Sequence, residues 1–211
     1  MFRVVRLISA LFGVAVLASA CASRTDNRAD EPDAVSMAAS QLPTMRWDHR
    51  PEADEWTRAT LAALNAHGAN LLDILPSDIM AYCPRYPSAS RQDRAAFWVG
   101  IMSALAKHES TWRPEASGGG GLWIGLTQID PRTAVGYDCN ATTSAQLKDG
   151  AANLSCAVRI ASAQVGKDQA LVSDASGNWR GLARDWAPFR SQSKRDDMAQ
   201  WTRNQDYCAN G

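Results

Sequence analysis

Trp98, Met102, Leu105 and Glu109 recur at intervals of three and four residues, so on a helix they share one face. Gly100, Ser103 and Lys107 lie elsewhere on the wheel. A carboxylate therefore closes an apolar stripe, shortly before Pro114 stops the helix. Partial desolvation disfavours the charged form of a carboxyl group and raises its pKa. A carboxylic acid that keeps its proton near neutral pH is what a general acid requires. The plainer reading is a solvated glutamate whose aliphatic stem covers the edge of the core. Against it stands a second element, the strip Ser117-Gly-Gly-Gly-Gly-Leu-Trp followed by Gly125-Leu126-Thr127-Gln128-Ile129-Asp130. A backbone bare of side chains lets a polymer pass close to the helix. No Gly-Lys-Ser/Thr follows the glycines, which argues against a phosphate-binding loop.

The elements that must position these residues are mostly helical by pattern. Ser90 with Asp93 resembles a capping box and opens the helix that carries Glu109. Residues 52–67 form an earlier helix, with Trp56, Ala59, Ala63 and Leu64 on one face and Gly68 at its end. Residues 149–165 form another, with Leu154, Ala157, Val158, Ala161 and Val165 together. The pattern predicts helix over 178–186, up to Pro188, and a last helix over 193–207. Residues 122–129 suit a short strand or hairpin piece, and 131–140 a loop or short helix. The class is mainly α with a minimal β element, in one domain spanning 44–211.

Residues 1–20 form a secretory signal peptide, with Arg3 and Arg6 before an apolar run too short to span a membrane stably. Cys21 follows Ala18-Ser19-Ala20, small residues that resemble a lipobox although Ala18 stands where Leu is usual. Plain signal cleavage is the alternative. Five cysteines leave an odd one in an exported chain. Lipid on Cys21 accounts for it and leaves four for two disulfides. Of the three possible pairings we expect Cys139–Cys156 and Cys83–Cys208. The first ties a loop to the helix beginning near Asp149; the second fastens the C-terminal helix to the segment before Glu109. With Ala22 after Cys21, similarity to bacterial sorting implies an outer-membrane lipoprotein facing the periplasm, a soluble periplasmic or secreted protein being the alternative. Residues 21–43 read as a disordered tether reaching about 25 Å on average. The formal charge is zero, and losing Arg3 and Arg6 makes it −2, which does not suit nucleic acid. His49, His67 and His108 are scattered, so no metal site is expected, and no cofactor. A Gly-x-Ser-x-Gly turn is absent, against a serine hydrolase. Eight tryptophans are many for this length; several would suit stacking on sugar rings.

Glu109-Ser110, a loop, and then Gly125-Leu126-x-Gln128-Ile129 resemble the lysozyme-like domain of soluble lytic transglycosylases. Thr127 stands where that family usually has Met. Asp149-Gly-Ala-Ala-Asn153-Leu154 resembles its later Asp-Pro-x-x-Asn-Ile element. The likeness spans roughly residues 91–165. It implies cleavage of the β-1,4 bond between N-acetylmuramic acid and N-acetylglucosamine in peptidoglycan glycan strands. One glutamate, Glu109, acts as acid and then as base, and the sugar's own C6 hydroxyl attacks to give a 1,6-anhydro end. Ser110, Gly125, Leu126, Gln128, Asp130 and Asn153 are then expected to shape the substrate site of a monomeric enzyme.

Two other readings stand beside it. Asp130 directly after Gly-Leu-x-Gln-Ile is similar to goose-type lysozymes, in which such an Asp positions water; a hydrolytic muramidase would use Glu109 and Asp130. Asp130 also precedes Pro131 and suits a simple turn cap. The loop 117–123 lacks the further Asp those lysozymes carry, which favours the transglycosylase. The transglycosylases also show Ala-x-Tyr-Asn-Ala-Gly, where this chain has Leu182-Ala-Arg-Asp-Trp186-Ala187 without a Tyr. That departure leaves room for a catalytically idle wall-binding protein.

Overall fold

Helix α2, Arg91–Ser110, is the axis on which the domain is assembled. The computed structural model describes residues 42–209. The expected signal peptide, Cys21 and the expected tether up to residue 41 lie outside them. The chain is mainly helical with one small antiparallel sheet. Its elements are α1 (Ala53–Ala66), α2, β1 (Ser117–Gly118), β2 (Trp123–Ile124), α3 (Pro131–Gly136), α4 (Ser144–Leu147), α5 (Gly150–Asp168) and α6 (Gln192–Arg203), with short 3-10 turns between them.

Every residue of α2 from Ala95 to Ala106 is buried. The single apolar stripe expected from the sequence is therefore too narrow, and the reason is that α2 is packed on all sides. Ser103 fits inside because its hydroxyl donates to the Gly100 carbonyl at 2.7 Å and accepts from the Arg46 amide at 3.1 Å. Gly100 is required by the Tyr207 side chain, which a Cβ there would strike. Ser90 caps the helix by accepting the Asp93 amide. The reciprocal half of the capping box is not made, because the Asp93 carboxylate turns to Arg85 at 3.4 Å.

Around α2 pack α1, α6 and the 3-10 turns at residues 69–72, 86–88 and 187–190, while α5 packs mainly on α1. Helix α1 buries Trp56, Ala63 and Leu64 as expected, and α5 buries Leu154, Ala157, Val158, Ala161 and Val165. Each large side chain fully buried here contributes about 2–3 kcal/mol. Trp47, Trp56 and Trp98 belong to this core; the Trp98 indole donates to the Tyr86 hydroxyl at 2.8 Å. Both expected disulfides are present, Cys83–Cys208 and Cys139–Cys156. They fit an oxidising, exported compartment. No described helix is long and apolar enough to cross a membrane. The segment before α1 crosses towards the chain's end, where the Tyr207 hydroxyl donates to the Thr44 carbonyl at 3.4 Å.

Two expected helices differ. Residues 178–186 contain only a 3-10 turn, Gly181–Ala183. Here Asp174 accepts the Asn178 amide, Ser173 bridges Trp179, and Arg180 and Leu182 bond to Val172 and Leu171. Local side-chain bonding thus turns the backbone back on itself instead of letting it coil. Helix α6 stops at Arg203 rather than near Tyr207, because the disulfide and the Arg85 amide hold Cys208 in a turn.

Candidate active site

Glu109 occupies the last turn of α2. Burial pushes its carboxyl up to about 7, while Lys194 and Arg190 pull it down less strongly. Among the described residues nothing hydrogen-bonds to that carboxylate. An acid poised there keeps a large protonated fraction at neutral pH.

The helix ends abruptly just beyond. Thr111 and Trp112 both take left-handed backbone angles, φ 54° and 53°, which non-glycine residues adopt at a cost of about 1 kcal/mol each. Surrounding contacts impose the bend. The Trp112 indole donates to the Ser103 carbonyl at 2.9 Å and meets His49 edge-on at 4.6 Å. The chain thus turns before Pro114 is reached.

Ser110 is buried, and its hydroxyl donates to the Leu126 carbonyl at 2.9 Å. This bond joins the end of α2 to the Gly-Leu-Thr-Gln turn. That turn is built from beneath by Asn153, which is fully buried on α5. Asn153 Oδ1 accepts from the Thr127 amide at 2.9 Å and its hydroxyl at 2.7 Å. Asn153 Nδ2 donates to the carbonyls of Ile124 and Leu147, both at 3.0 Å. The amide is fully satisfied, as a buried polar group must be. Gly125 has φ 82°, and a Cβ on it would strike Asn153 and the Leu147 carbonyl. Gln128 is left-handed too, at φ 51°, and its Nε2 donates to the Gly125 carbonyl at 2.9 Å. Ser110, Gly125, Leu126 and Asn153 are all buried, so they build the site from behind, whereas Gln128 and Asp130 reach its surface.

The glycine strip is the tip of a hairpin. Ser117 pairs with Ile124 and Gly118 with Trp123. The tip leaves Leu122 and Trp123 about half exposed, at 48% and 50%. Trp123, Gln128, Ile129, Asp130, Asp185 and Trp186 line a groove of about 330 Å³, counting space open to solvent. Glu109 is not one of its walls; its neighbour Ser110 bonds the same turn. Trp186 comes from the Leu-Ala-Arg-Asp-Trp-Ala segment that lacks a tyrosine. Its indole donates to the Thr127 carbonyl at 2.9 Å, so this segment too is pinned to the turn.

Asp130 caps α3. Its Oδ1 accepts from the Arg132 amide at 2.8 Å and its Oδ2 from the Arg132 guanidinium at 2.7 Å. Those bonds hold its carboxyl below the usual carboxylate range.

No protein-family model matches the sequence, and no curated protein does. Solved structures of Bd0314 DslA, a Bdellovibrio protein, are similar. A Glu-to-Gln mutant of it has a TM-score of 0.74 at 28% identity, covering 81% of this chain and 100% of that one. Its wild-type form 2 gives 0.72 at 27% identity with the same coverage. A second Glu-to-Gln mutant gives 0.71, again at 27%. The shared architecture therefore extends well beyond the stretch 91–165 that carries the sequence resemblance.

Sequence reasoning overlooked Asp185, Trp186 and Lys194. Trp186 was visible only as the residue that breaks a motif. Lys194 has no local signal, since it meets Glu109 through the packing of α6 on α2. Among the described residues no group of three or more His, Cys, Asp or Glu could hold a metal ion.

Proposed function

We propose that this chain is a lysozyme-like lytic transglycosylase that cleaves the β-1,4 bond between N-acetylmuramic acid and N-acetylglucosamine in peptidoglycan without consuming water. The observation that carries the reading is Glu109, a partly buried carboxyl with no bonded partner among the described residues, raised to about 7 and next in sequence to Ser110, which bonds the Gly-Leu-Thr-Gln turn. In the first step Glu109 gives its proton to the glycosidic oxygen as the C1–O bond breaks. The muramic acid C6 oxygen then bonds to C1, and its proton passes to the Glu109 carboxylate, restoring the acid. The half-exposed Trp123 indole offers a platform for a sugar ring, and Gln128 and Asp185 offer polar partners along the groove. The disulfides accord with work outside the cytoplasm. A lipid on Cys21, with the tether as spacer, would hold the monomeric domain near the outer membrane from its periplasmic side.

The hydrolytic muramidase is the less favoured reading, on one observation. Arg132 occupies both oxygens of Asp130, which leaves it poorly placed to activate water. Digestion of purified sacculi separates these readings by mass spectrometry of the released sugars. Anhydro ends support the transglycosylase, and reducing ends the hydrolase. Binding with no released sugar would instead mark an idle wall-binding protein.

A further inference from the structure

Asp197, on α6, gathers cations from two other elements. Arg46 Nη1 and Nη2, from the segment before α1, donate to its two oxygens at 2.7 and 2.8 Å. His108 Nε2 lies 2.7 Å from Oδ2, and Lys107 Nζ lies 3.2 and 3.3 Å from the two oxygens. Lys107 and His108 are the two residues that precede Glu109 on α2. The cluster is not a loose surface pair, since the Arg46 and His108 side chains are each only 14% exposed. Asp197 also lies one turn after Lys194 on α6, hence on the same face.

Two cations from outside α2 act on the acid, Lys194 of α6 and Arg190 of the preceding 3-10 turn. Lys107 and His108 precede it on its own helix with their side chains turned to Asp197, and Arg113 reaches back to the Ser110 carbonyl at 3.2 Å. Burial holds His108 below the ordinary histidine value, so it adds little charge at neutral pH. An excess of cations favours the carboxylate over the protonated acid. A negative charge bound into this rim opposes that tendency.

We infer that Asp197 is a positioning residue for Glu109. Through Lys107 and His108 it locks the last turn of α2 against α6, and it supplies the anion that balances the basic rim. With His108 neutral, Arg46, Lys107 and Asp197 carry one net positive charge. Losing Asp197 makes it two; losing Arg46 makes it none. The inference rests on Glu109 being the proton donor of the proposed reaction.

The test is a carbon-13 carboxyl NMR titration of Glu109 in the whole chain, together with the pH profile of glycan release from sacculi. Asp197→Asn is expected to lower the Glu109 pKa by about half a pH unit and to move the basic limb of the profile down equally. Arg46→Met is expected to raise both. The opposite signs exclude a general loosening of the fold, and Arg46→Met alone decides if Asp197→Asn does not fold. A Glu109 titration unmoved in the folded variants, with only thermal stability lowered, overturns the inference. A wild-type chain that releases no sugar overturns the functional reading instead, and leaves the titration result to stand alone.

Discussion

Ser110 donates its hydroxyl hydrogen to the Leu126 carbonyl across 2.9 Å, so the residue beside the acid is fastened to the turn that borders the groove. Helix and turn are therefore one mechanical unit. Displacing either displaces the acid relative to any polymer lying in the groove, and reaction rates are steeply sensitive to such displacement.

Replacing Glu109 with Gln keeps the shape and removes the proton. Glycan release should fall by about 10²–10⁴-fold. The folded state should gain stability at alkaline pH. The folded pKa is raised above the unfolded one, so the native chain holds an extra proton between roughly pH 4.5 and 7. Wild-type stability therefore declines as pH rises through that window. At pH 8 the variant should be more stable by about 1–3 kcal/mol, and at pH 4 by nothing. Thermal denaturation at both values, beside a sugar-release assay, measures this.

Glycan release by the wild type should require protonated Glu109 in the free enzyme. Its kcat/KM should be flat at mildly acidic pH and fall about tenfold per unit above pH 7. A basic limb set by a group titrating above pH 9 would remove Glu109 from the role.

Asn153→Ala should cost about 3 kcal/mol or more, because it strips partners from the Thr127 amide and from the carbonyls of Ile124 and Leu147 inside the core. Urea titration reads the stability loss. Hydrogen exchange at the Thr127 amide should accelerate more than exchange in α1, which a uniform loss of stability would not produce.

Trp123→Ala should leave the melting temperature almost unchanged, since half of the side chain is in water. It should weaken the binding of glycan fragments by about 1–2 kcal/mol, roughly 5–30-fold. Equilibrium titration with soluble muropeptides gives the number; an unaltered affinity would take Trp123 out of the binding surface.

Asp130→Asn should lower stability by about 1 kcal/mol or less, as a weakened helix cap. Product chemistry and pH profile should not change. Loss of sugar release comparable to that of the Glu109 variant would revive the hydrolytic mechanism.

The sequence made the disulfides, the capped start of α2 and the buried faces of α1 and α5 legible, because each depends on near neighbours or on few combinations. Glu109 was visible through its place after a run of apolar residues. The complete burial of α2 was not, because small residues such as Gly100, Ser103 and Ala104 look neutral on a wheel yet fit only inside. The segment 178–186 was misjudged for a related reason. Its bonds to Leu171, Val172 and Asp174 are made by a reversing chain, and helical periodicity carries no record of that. Asp185, Trp186, Lys194 and Asp197 approach the site from far along the chain, so their part in it emerges only from packing.

The Tyr207 hydroxyl reaches the Thr44 carbonyl, so the first and last described segments of the domain lie side by side. A short peptide joining residue 209 to residue 42 should therefore be tolerated, with new ends opened elsewhere on the surface. By the same token, a bulky fusion partner placed after residue 209 would crowd the backbone around Thr44.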